Sequence, residues 1–249
     1  MAATRKIKTL YNIIKYRLLE SSYSVGGSRI KYLYYDDAKS DTLLICFAAF
    51  PPKNFPVYNN VRGFKDLPVD RLYIADTFGF RASYYLYENG DDTPKRLTEA
   101  LINHIVEKGG YKHIYTAGTS KGGTSAIYYG LKYNAEHIFS GACQYNLGTF
   151  LSAPVHIPIL KAMMNSTDQQ VIDFLNSIMC HQLESHYNSQ SLIHLIYSTE
   201  ENTYQNHTID LITKLDECGI KHVDTVLDFT NHNHIGKYFQ TYVLDFFHI

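Results

Sequence analysis

Apolar residues recur along this chain at two periods, and the alternation between them predicts its elements. Near the N-terminus Ile7, Leu10, Ile14 and Leu18 fall at helical spacing among Arg5, Lys6, Lys8, Lys15 and Arg17, which predicts a basic amphipathic helix over residues 1–20. Short apolar runs follow. Ser28–Tyr35 and Thr42–Ala48 read as strands joined through the polar turn Asp36–Asp41, and Pro51-Pro52 stops the second. Arg71–Ala75 is a third strand, and Thr93–Glu107 a helix with Pro94 in its first turn. Then come a strand at His113–Ala117, a helix at Thr124–Tyr133 and a strand at His137–Cys143. Gln144–Met164 carries Pro and Gly without a clear period and reads as irregular, and Asp168–Gln182 reads as a helix. Residues 144–190 are therefore expected to form a small cap segment. Leu192–Tyr197, His207–Cys218, His222–Phe229 and Ile235–Phe247 continue as strand, helix, strand, helix.

Strands alternating with helices over most of the chain imply an α/β fold with a mostly parallel central sheet and helices on both faces. No repeat or linker interrupts the 249 residues, which suit a single domain over 1–249. The formal net charge of −1 carries no basic surplus, so nucleic acid is not an expected partner. No apolar stretch is long enough to cross a bilayer, and Lys15 and Arg17 interrupt any signal-peptide core. The first helix is expected to pack on its own domain, with docking on a membrane surface or partner as the alternative. Cys46, Cys143, Cys180 and Cys218 are widely spaced without a Cys-x-x-Cys pair, which favours a reducing, cytoplasmic compartment. The 22 tyrosines suit packing, and tyrosine-rich pockets also suit sugars.

The strongest chemical signal is Gly118-Thr119-Ser120-Lys121-Gly122. A Gly-x-Ser-x-Gly between a strand and a helix is the sequence form of a nucleophile elbow, a sharp turn that holds a serine hydroxyl exposed. Its plain alternative is a glycine-rich loop with a structural serine. A phosphate-binding loop fits less well, because the segment has no Gly-Lys-Ser/Thr ending and no Gly-x-Gly-x-x-Gly spacing. An elbow identifies the fold as that of an α/β-hydrolase and fixes the chain order of the partners as serine, acid, histidine.

A neutral serine needs a histidine to take its proton, and the histidine needs an orienting carboxylate. The acid belongs after a late strand, where Glu200 and Glu201 follow Leu192–Tyr197. The histidine belongs after the last strand, where His232 and His234 follow His222–Phe229. His232 is favoured because His234 sits nearly inside the final helix. Glu201 is favoured as lying further past its strand, with Glu200 and His234 kept as alternates. The oxyanion hole is expected from the backbone N–H of Lys121 and, in the loop after an early strand, of Ala49. The Lys121 side chain reads equally as a charge at the mouth of the site or as a solvated lysine at a helix start. No metal site is expected: the histidines and cysteines do not cluster, and His232 with His234 supply too few ligands.

Four segments together resemble bacterial α/β-hydrolase-like proteins of surface and capsular polysaccharide biosynthesis, a group that includes capsule O-acetyltransferases and accessory-secretion relatives. They are Gly118–Gly123, Gly141–Gly148, Glu201–Tyr204 and His232–Phe239, and the resemblance spans about residues 40–245. It implies Ser120 and His232 as catalytic residues and Glu201 at the acid position, where such triads more often carry aspartate. It further implies acetyl-CoA as acyl donor with no bound cofactor, and a polysaccharide hydroxyl as acceptor. The expected reaction is O-acetylation through an acyl-Ser120 intermediate. A carbohydrate esterase or deacetylase shares every step up to that intermediate. A non-catalytic scaffold in a polysaccharide or glycoprotein export complex is the third reading, and peripheral contact with a membrane-bound capsule assembly is compatible with the first helix. Oligomeric state is left open.

Overall fold

The computed structural model describes residues 14–51 and 58–249. Eight strands build one sheet: β1 (Ser21–Val25), β2 (Ser28–Tyr35), β3 (Thr42–Phe47), β4 (Asp70–Ala75), β5 (His113–Thr119), β6 (His137–Gly141), β7 (Leu192–Ser198) and β8 (His222–Leu227). Their order is β1-β2-β4-β3-β5-β6-β7-β8. The β1–β2 and β2–β4 pairs are antiparallel, and every other pair is parallel.

Parallel neighbours require crossovers, which the helices supply. Helix α1 (Thr93–Gly109) links β4 to β5, and α2 (Lys121–Lys132) links β5 to β6. Between β6 and β7 lie α3 (Leu147–Ser152), α4 (Ile157–Met164) and α5 (Gln169–Glu184). Helix α6 (Ile209–Glu217) links β7 to β8, and α7 (Ile235–Phe246) follows β8. Strand β3 shows why its sequence is apolar throughout. Leu43, Ile45 and Phe47 face one core with Leu101 and Ile105 of α1 and Ile127 and Leu131 of α2. Leu44 and Cys46 face the other with Phe239 and Val243 of α7. Between β6 and β7, Leu147, Leu151, Ile159, Leu160, Met163 and Leu175 form a third cluster with Tyr84 and Leu86.

The structure departs from the sequence expectation in four places. Strand β1, not expected, closes a two-residue hairpin with β2 through Gly26 (φ 59°) and Gly27 (φ 84°), the left-handed pair that a primed turn requires. The segment expected to be irregular, Gln144–Met164, holds α3 and α4. Pro158 falls in the first turn of α4, where its missing N–H costs no hydrogen bond. Helix α2 begins at Lys121, three residues before Thr124, because it starts directly at the elbow. At the N-terminus residues 14–19 are helical, yet Ile14 and Leu18 are 52% and 82% exposed. The residue that packs inward there is Tyr16, edge-on to Tyr58, so the apolar stripe does not pack on its own domain over these residues. Ile7 and Leu10 lie outside the described residues. All four cysteines are free thiols, and no described helix is long and apolar enough to cross a membrane.

Candidate active site

Ser120 sits between the end of β5 and the start of α2 with φ 54° and ψ −124°, a backbone region that a side chain disfavours and that the surroundings must impose. Its N–H donates to the Gly141 carbonyl at 2.7 Å, and its own carbonyl accepts from Gly123 and Thr124 at 2.9 and 3.1 Å. The two motif glycines permit the turn. A Cβ on Gly118 would overlap the Gly122 carbonyl, and one on Gly122 would overlap the Phe47 carbonyl. Thus strand β5, strand β3 and helix α2 meet at glycine contacts, and Ser120 is left 8% exposed at their junction.

The late loops bring one acid and one histidine to this junction. Glu201 is buried just after β7, while Glu200 is exposed and enters only through its N–H, which donates to Ser198 Oγ at 3.2 Å. His232 opens a short turn, His232–His234, whose entry is capped by Asn231 Oδ1 accepting from the Asn233 N–H at 3.0 Å. His232 Nδ1 donates to Glu201 Oε1, and Thr203 Oγ1 donates to the same oxygen. Glu201 Oε2 is buried with no hydrogen-bond partner. The acid bond at Nδ1 leaves the other ring nitrogen, Nε2, as the proton acceptor. His234 is exposed at the start of α7 and does not bond the acid. Ser120, Glu201 and His232 line one cleft of about 550 Å³, which neither Glu200 nor His234 lines.

The oxyanion donors are only half as expected. Lys121 is the first residue of α2, so its N–H has no acceptor within the helix. The Ala49 N–H, by contrast, donates to Asn59 Oδ1 at 2.9 Å and is already committed, although Ala49 lines the cleft. Both expectations for the Lys121 side chain are corrected. It is neither at the mouth nor solvated but 0% exposed, with Nζ 2.9 Å from Asp76 Oδ2 and 4.2 Å from the centre of the Tyr85 ring. Asp76 also accepts from Ser83 N–H at 2.8 Å and Ser83 Oγ at 2.7 Å, so both carboxylate oxygens are hydrogen-bonded. Burial pulls the Lys121 pKa down against the opposing pull of Asp76. No local signal marks this, because Asp76 lies far away in the chain.

Sequence reasoning also assigned no role to Gln144, whose Nε2 lies 3.1 Å from Ser120 Oγ. The cleft is further lined by Phe50, Phe150 and His156, whose rings stack with centroids 4.3 Å apart for Phe150 and His156 and 6.1 Å for Phe50 and His156. Burial, and secondarily the Arg81 charge, pushes the His156 pKa down. Asn59, Thr119, Asn202, Thr203, Thr230 and Asn233 add polar residues to the lining and Ile235 an apolar one, and Glu201 is its one carboxylate among the described residues. Among these residues no three His, Cys, Asp or Glu side chains gather as a metal site needs.

No protein-family model and no curated protein sequence matches the chain. Solved structures do. The capsule O-acetyltransferase of Neisseria meningitidis serogroup A is similar with a TM-score of 0.76 at 20% identity, over 94% of this chain and 99% of that one. A mutant of that enzyme in complex with CoA is similar with a TM-score of 0.73 at 19% identity, over 92% and 95%. A glycosylation-associated protein complex (Gap123) from Streptococcus agalactiae gives 0.76 at 16% identity, over 92% of this chain and 46% of that one. S-formylglutathione hydrolase from Staphylococcus aureus gives 0.63 at 10% identity, over 92% and 97%. The sheet order, the helices on both faces and these likenesses agree: the chain has the α/β-hydrolase fold, and its structural neighbours include a capsule O-acetyltransferase.

Proposed function

We propose that the protein is a serine acyltransferase that O-acetylates a surface or capsular polysaccharide from acetyl-CoA through an acyl-Ser120 intermediate. The observation that carries this reading is the convergence of strained Ser120 and the Glu201–His232 pair on one cleft. His232 Nε2 takes the proton of Ser120 as Oγ attacks the thioester carbonyl carbon, and Glu201 holds the imidazole and stabilises the imidazolium. The Lys121 N–H is the oxyanion donor we assign. Ala49 serves as a second donor only when Asn59 turns away from its N–H. Collapse of the tetrahedral adduct breaks the C–S bond, and the thiolate leaves with the proton from His232. A sugar hydroxyl then gives its proton to His232 and attacks the acyl carbon, and Ser120 Oγ departs with that proton. Support for the donor comes from the neighbour solved with CoA. Support for the acceptor comes from the stacked rings and side-chain amides and hydroxyls of the cleft, which suit a hydroxyl-rich ligand. The buried free thiols of Cys46, Cys143 and Cys218 fit a reducing, cytoplasmic setting.

An esterase is the second reading, favoured by the likeness to S-formylglutathione hydrolase, because hydrolase and transferase share every step up to the acyl-enzyme. A scaffold role in an export complex has the completed acid–histidine bond against it. Incubation with acetyl-CoA and capsular polysaccharide, beside Ser120→Ala, separates these readings. Thiol release that needs both polysaccharide and Ser120 supports the transferase. Acetate release from acetylated polymer without CoA supports the esterase, and neither release supports the scaffold.

A further inference from the structure

We propose that Gln144 is a catalytic hydrogen-bond donor to the Ser120 oxygen, held in that role by Tyr84 and Thr124. The inference rests on Ser120 being the nucleophile and adds a residue to its chemistry. Gln144 follows β6 on the cleft floor and is 1% exposed, yet its Nε2 lies 3.1 Å from Ser120 Oγ. A side-chain amide can be turned either way, so its direction must come from its neighbours. Tyr84 provides it. Its hydroxyl is buried, stays protonated because burial raises its pKa, and lies 3.2 Å from Gln144 Oε1. Turning the amide over would face that single buried proton with Nε2, another donor, and leave it without an acceptor. In the present orientation Tyr84 donates to Oε1, and Nε2 donates to Ser120.

The rest of the residue is fastened to the nucleophile helix. The Gln144 N–H donates to Thr124 Oγ1 at 2.9 Å, and Thr124 Oγ1 donates to the Gln144 carbonyl at 2.8 Å. Ser125 Oγ, on the same helix, lies within hydrogen-bond distance of both the Lys121 carbonyl, at 3.2 Å, and the Tyr84 carbonyl, at 3.3 Å, and Tyr84 itself is held at φ 55°. A donor so placed has two effects. It fills a lone pair of Oγ, leaving the hydroxyl proton available to the base. It also faces negative charge on Oγ at both moments when that charge develops: as the proton leaves during attack, and as the C–Oγ bond breaks during transfer to the acceptor. Bonds made and broken are those of the acyl transfer itself, and Gln144 gives up no proton.

Stopped-flow burst kinetics with p-nitrophenyl acetate on the full chain test this, with Ser120→Ala as control. Gln144→Leu is expected to lower the acylation and deacylation rate constants by about 10- to 100-fold while KM stays within about twofold. Tyr84→Phe, which keeps the Gln144 volume and frees its amide to turn, should lose part of the same rate. The double variant should be no slower than Gln144→Leu alone, because both act through one bond. Should Gln144→Leu fail to fold, Tyr84→Phe carries the same expectation. Wild-type rate constants in Gln144→Leu, a loss confined to KM, or multiplying losses in the double variant would overturn the inference while the Ser120 burst stands. Wild-type release of p-nitrophenol no faster than that of Ser120→Ala overturns the nucleophile reading and this inference together.

Discussion

His232 and His234 are two residues apart, and only their surroundings separate them. His232 is tied to a buried carboxylate, whereas His234 meets solvent at a helix start. Replacing His232 with Ala should therefore lower the acylation rate by roughly 10³-fold or more, and replacing His234 should leave it near wild type. The pairing was legible in the sequence because fold topology fixes which loops carry the acid and the base. The Lys121 side chain was not, because a lysine at a helix start looks solvated until its distant partner is known. Removing one member of that buried pair strands the other. Lys121→Met is expected to destabilise the protein by about 3–5 kcal/mol, read as a lowered urea midpoint. An unchanged midpoint would mean that Asp76 is satisfied without it.

At the scale of elements, the strands of the parallel half were legible because residues buried on both faces read as continuous apolar runs. Strand β1 was hidden by its polar sequence, Ser21–Val25, since an edge strand in which only Tyr23 is partly buried has no apolar alternation to show. Its usable signal was the Gly26-Gly27 pair. The helices between β6 and β7 were hidden for a different reason. α3 and α4 are short, with six and eight residues, and their helicity depends on packing against α5 and the Tyr84–Leu86 loop more than on propensity. Gly148 is the closest point of that packing, where a Cβ would overlap the Ile172 carbonyl in α5. Gly148→Ala should push α3 off α5 and cost about 1–3 kcal/mol, visible as a lower melting temperature. An unshifted melting temperature would show that the two helices separate without cost.

Across the whole molecule, buried histidines make stability depend on pH. Burial holds His194 at a pKa of about 4, with His137 adding to the shift, and holds His207 at about 4 against the pull of Asp210. His207 Nδ1 accepts from the Asn146 N–H at 3.3 Å, a bond that needs that nitrogen unprotonated, while His194 lies 3.0 Å from His137 and 2.8 Å from the Tyr242 hydroxyl. Both folded values lie below the ordinary 6.5, so the unfolded chain takes up protons first. The stabilisation is complete above 6.5 and is lost as pH falls from there towards 4, by at most about 1.4 kcal/mol per pH unit for each ring. Urea midpoints measured across that window should fall steadily, and a flat profile would contradict the burial of these rings. At this scale the sheet order was legible as a fold class, whereas the histidine pair linking β6, β7 and α7 depends on neighbours that only the folded sheet creates.

The account turns on Ser120 forming a covalent acyl-enzyme. Mass spectrometry of the peptide carrying Ser120, after brief incubation with acetyl-CoA and acid quench, tests it most directly. The expected result is one added acetyl group on Ser120, absent from Ser120→Ala and discharged when polysaccharide is supplied before the quench. An unmodified Ser120 peptide, in a protein that also fails to react with a fluorophosphonate, would contradict the account.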